Sequence, residues 1–128
     1  MSTLKATTLE ATTLLHSDGT STTEPSIPAL DQRMAKAWCQ WDMSTLTVKG
    51  SYNISSITDG GVGDQYPNFA TAMADSNYAA VANGNAMLNW HGTETTVIST
   101  ATTSCRVIHR ENNAGYDSTV ALLIVFGN

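Results

Sequence analysis

Charge is scarce in this chain. Six Lys and Arg stand against eleven Asp and Glu in 128 residues, so 13% of the residues are charged, about half the usual share for a soluble globular domain. The formal charge is −5, and no basic cluster exists. That argues against sequence-independent nucleic-acid binding, which depends on clustered Lys and Arg. Cysteine is nearly absent too. Cys39 and Cys105 are too few and too far apart for the dense disulfide framework of a small secreted scaffold. They are expected to be free thiols, with Cys39 reading as a small core hydrophobe. Long apolar runs are lacking: the longest, Val120 to Phe126, is far too short to span a bilayer. No positively charged start leads into an apolar stretch of signal length, so the chain is read as made and folded in a cytoplasm, without membrane insertion.

What the chain does have is Ser and Thr, roughly a quarter of all residues. Thr and Val fit a pleated, half-buried surface, while the long helix formers are few, so the composition favours β structure. Between Ala35 and Asp42, Ala37, Cys39 and Trp41 alternate with Trp38, Gln40 and Asp42, the period-two pattern of a strand with two different faces. Thr45 to Tyr52 alternates between a polar and a mostly apolar set, which predicts a strand with one wet face and one packed face. FATAMADSNYAAVAN predicts two short strands joined by the turn ADSN. Further β-rich runs, TTVIST and SCRVIH, follow, and then comes STVALLIVFGN, whose continuous apolarity predicts a strand buried on both sides, in the core or at a subunit contact. About seven short strands with turn signals between them predict an all-β fold, a small antiparallel β-sandwich or barrel over residues 34–128. Residues 1–33 differ. Leu4, Leu9, Leu14 and Leu15 are loosely spaced among threonines and followed by a proline-containing linker, so this part reads as an extended attachment segment that becomes ordered on another protein.

Few side chains offer chemistry. The DGGVGD stretch, Asp59 to Asp64, could present two carboxylates to a hard cation, but calcium takes six to eight oxygens, and the glycines with flanking aspartates read as a hairpin turn. His16, His91 and His109 lack a second ligand at metal spacing, and no nucleophile motif occurs, so no metal, cofactor or catalytic residue is expected and the chain is read as a non-enzyme. Trp38 and Trp41 lie on opposite faces of one strand: one belongs to the core and the other meets a second sheet, a second subunit or a ligand. Subunit packing is the preferred reading, with Trp38, Trp41, Leu123 and Val125 as oligomer contacts. Trp90 and His91 sit in a glycine-flanked loop, where they serve either as a loop anchor or in outward recognition.

The unit from Ala35 to Tyr78 resembles bacteriophage tail-fibre and related virion proteins: a KAW strand, then TLTVKGSYNI, SITD-G-x-GD, NFATAM and NYA, with a weaker echo in the C-terminal SCRVIH to VFGN segment. The resemblance implies a virion structural protein, a homotrimer attached by its N-terminal segment to tail or baseplate proteins, with its β domain turned outward towards a host surface glycan. Two departures stand out. CQWDMSTLT alters the first hairpin turn, and the chain is short, with no long shaft. A capsid decoration or cement protein, a fibre adaptor, or a carbohydrate-binding module using Trp90, Trp38 or Trp41 would suit the same residues.

Overall fold

A computed structural model describes residues 33–85 and 93–127. They form nine strands and, among the described residues, no helix: β1 (Ala35–Asp42), β2 (Thr47–Tyr52), β3 (Ile54–Asp59), β4 (Asp64–Phe69), β5 (Ala79–Gly84), β6 (Thr93–Thr100), β7 (Cys105–Glu111), β8 (Ala114–Gly115) and β9 (Ala121–Phe126). All pairings are antiparallel. One sheet has the order β2-β1-β9-β5 and the other β3-β4-β7-β6, with β8 added on β7. The protein is an antiparallel β-sandwich.

Alternation builds the core. Ala37, Cys39 and Trp41 of β1 and Ala121, Leu123 and Val125 of β9 point from the first sheet towards Cys105 and Val107 of β7 and Phe69 of β4. Trp41 is fully buried, and its indole N–H donates to Gln65 Oε1 at 2.6 Å, while Gln65 Nε2 donates to the Met43 carbonyl at 2.7 Å. A buried indole and a buried amide thus satisfy each other between the sheets, as buried polar groups must.

Three local devices shape the chain. Asn53, at φ 53°, is the corner where the chain leaves the first sheet for the second. Its side-chain amide donates to the carbonyls of Lys36 and Thr71, and its Oδ1 accepts from the Thr71 N–H at 2.7 Å. Asn112 and Asn113 both take positive φ between β7 and β8, a two-residue hairpin turn that Asn tolerates. The DGGVGD stretch is a turn and a clasp. Asp59 Oδ1 accepts from the Gly61 N–H, and Gly63, at φ +68°, donates to Asp117 Oδ1 and accepts from the His109 N–H. A β-carbon on Gly63 would lie 2.2 Å from the His109 carbonyl oxygen, so only glycine lets β7 approach this closely.

Several expectations change. The C-terminal run is buried on one side only: Leu123 and Val125 face the core, while Leu122, Ile124 and Phe126 are 38–44% exposed. Leu123, Val125 and Trp41 are therefore core residues rather than oligomer contacts, because they are sealed between the two sheets of a single chain. β2 has no packed face, being an edge strand exposed along nearly its whole length. The segment after the glycine turn that forms a strand is DQYPNF rather than FATAM. Pro67 is tolerated there because the β4–β7 ladder pairs Asp64 and Gln65 and then lapses until the bridge at Asn68.

Candidate functional site

The outward residues of the first sheet are the ones the core leaves unused. Register sets them in rows. Tyr52 pairs with Trp38, Trp38 with Ile124, and Ile124 with Val81, so four large apolar side chains cross the whole sheet in one line. A second row runs Gly50, Gln40, Leu122, Asn83, and Phe126 lies beside Ala79 on the other flank. Cross-strand neighbours of this kind have β-carbons about 4.5–5.5 Å apart, so the side chains form one continuous surface. Trp38 is 42% exposed, Tyr52 46% and Val81 68%.

The Trp38 indole spreads over Gly50, where an added β-carbon would sit 3.5 Å from its ring. On the β9 side a shallow groove of about 200 Å³ remains between Trp38, Gln40, Leu122 and Ile124, with Cys39 and Leu123 at its floor. Among the described residues, Gln40 is the only polar side chain lining it. A sugar platform needs several polar partners around its aromatic ring. The groove's lining is almost wholly apolar.

Other reactive groups are locked into the fold. The Cys39 and Cys105 thiols are unpaired and buried, and burial pushes both up to about 12, which leaves almost no thiolate at neutral pH. His109 is fully buried between the sheets. Its Nδ1 shares a hydrogen bond with Thr95 Oγ1, its ring tilts against Tyr116, and its Nε2 has no hydrogen-bond partner among the described residues. Burial holds the imidazole below its ordinary range, although Glu111 and Asp117 pull the other way. Ser118, also buried, bonds to Asn85 and to the Val120 carbonyl. No group of three metal-ligating side chains occurs among the described residues.

Of the residues singled out in the sequence, Trp38 alone lies on the exposed face. Trp41, Leu123 and Val125 lie behind it in the core. Leu4, Leu9, Leu14, Leu15, Trp90 and His91 fall outside the described residues. Tyr52, Val81, Leu122, Ile124 and Phe126 were missed. Parity along β1 carries part of the signal: once Ala37, Cys39 and Trp41 are taken as inward, their antiparallel partners on β9 must be inward too.

Fold and site together define a β-sandwich module with one finished face and one bare apolar face. The chain matches no protein-family model, no curated protein and no solved structure.

Proposed function

We propose that this chain is a structural, non-catalytic component of a bacteriophage particle, a tail fibre or fibre-like tail component. In this reading residues 1–33 attach it to other virion proteins through Leu4, Leu9, Leu14 and Leu15, and the β-sandwich is the projecting module. One observation carries the assembly role: the contiguous apolar face of Trp38, Tyr52, Val81, Leu122, Ile124 and Phe126. Contiguous exposed apolar patches of several hundred Å² mark interaction sites. The fibre-like signature between Ala35 and Tyr78 supports placing that assembly in a virion. Its glycine turn supports a structural part for the signature, since Asp59, Gly63 and Asp64 are all spent on contacts within the fold.

The test is incorporation. The full chain should co-purify with intact particles, and deletion of Met1 to Pro25 should leave a folded β domain that no longer incorporates. Ordering an extended segment costs about 1–2 kcal/mol per residue, which burial of its leucines on a partner must offset. A truncated domain that still assembles into particles would place the contact in the sandwich and favour a capsid decoration protein. Absence of the full chain from purified particles would overturn the reading.

A further inference from the structure

The bare face of the first sheet raises the question of its occupant. Its six large side chains are 38–68% exposed. With full areas of about 150–250 Å² for such residues, they present on the order of 500 Å² of apolar surface. A standard interface takes about 800 Å² from each partner, and about 65% of a homodimer interface is apolar, again close to 500 Å². The patch is therefore the size of one partner's apolar share in a stable symmetric interface.

Chemistry narrows the partner further. No charged side chain lies in the rows Tyr52-Trp38-Ile124-Val81 and Gly50-Gln40-Leu122-Asn83. Asp42, beyond Gln40 at their edge, has its carboxylate engaged by Ser44, so a charged partner would find no complement within these rows and would strand its ions on desolvation. A surface that is itself apolar, aromatic at Tyr52, Trp38 and Phe126 and aliphatic at Leu122, Ile124 and Val81, needs no complementary charge. The chain carries such a surface. The groove beside Trp38 is also large enough for an aromatic side chain, since an apolar cavity of about 150 Å³ accepts benzene.

We propose that the face is covered by the same face of another copy of this chain, with the Trp38 groove receiving an aromatic side chain of the neighbour. This rests on the reading of the face as an assembly surface and names its partner. Sedimentation of the full chain at micromolar concentration tests it, together with Ile124→Lys, Val81→Lys and Ile98→Lys. Ile98 is 45% exposed on β6 of the other sheet and serves as the control. Because the altered residues are all exposed, a cooperative melt and retained near-ultraviolet signal from Trp41 are expected in each. The wild-type chain and Ile98→Lys should sediment as a dimer, and Ile124→Lys and Val81→Lys as monomers. A wild-type monomer, an unchanged mass in the two face variants, or equal dissociation of Ile98→Lys would overturn the proposal. Its failure is separable from that of the virion reading. A monomer that still incorporates into particles sinks only the self-association, whereas an oligomer absent from particles sinks only the virion role.

Discussion

The two outer surfaces of this sandwich are made by the same alternation and end in different states. On the second sheet the outward side chains satisfy one another. Asn68 Nδ2 donates to Ser56 Oγ and Thr58 Oγ1, and Arg106 grips Asp64 with two hydrogen bonds while its guanidinium lies 5.6 Å from the Tyr66 ring centre. Ile108, the aliphatic residue on that face opposite Asp64, is itself buried. Ile98 of β6, 45% exposed, is an isolated large hydrophobic on that sheet. On the first sheet Trp38, Tyr52, Val81, Leu122, Ile124 and Phe126 dominate the outward face, with Gln40, Asn83 and Asp42 as polar side chains among and beside them. The contrast teaches that apolar exposure here is organised rather than incidental, since six of the exposed large hydrophobics share one face.

Adjacent residues of β9 give the sharpest way to break the contrast. Leu123→Asp puts a carboxylate into a sealed core and should abolish folding, whereas Leu122→Asp, one position along, should leave a folded chain that fails to associate. Circular dichroism and sedimentation on the pair check both halves. The tryptophans of β1 provide the next step down. Trp41→Ala should cost about 3–5 kcal/mol by opening a core cavity and leaving Gln65 unpaired, and Trp38→Ala should change monomer stability far less while weakening association, as read from urea unfolding and sedimentation.

Acid offers a smaller perturbation that targets the space between the faces. The folded state resists protonation of buried His109, whereas the unfolded chain takes up the proton near the ordinary value of 6.5. Stability is therefore full above about 6.5 and falls as pH drops from there towards the depressed folded value. Urea midpoints at neutral and mildly acid pH should show this loss in the wild type and a reduced loss in His109→Gln. The smallest effect belongs to the finished face. Hydrogen bonds from Arg106 hold Asp64 below the usual carboxylate range, so its contribution is present above about 3.8 and is lost as pH falls through the folded value. Both partners are partly exposed, so Asp64→Asn should cost only about 0.2–1 kcal/mol at neutral pH, with no change in oligomeric mass.

The sequence by itself determined the class of fold. Thr and Val abundance, alternation in AKAWCQWD and turn residues between short runs specify antiparallel strands with two unlike faces, because β geometry has a side-chain period of two. It also specified that Trp38 and Trp41 part company. Which of them faces inward was decided only when β9 paired with β1 and the second sheet closed over Ala37, Cys39 and Trp41. The run ALLIVF has no alternation to read, so nothing local distinguishes Leu123 from Leu122; the register with β1 makes that choice. Likewise Asn53 looks like any turn residue until the chain crosses there from one sheet to the other. Local pattern fixes which residues share a side, because that follows from backbone geometry alone. Which side is covered depends on strands distant in sequence, and it is that choice that leaves the first sheet's outer face bare.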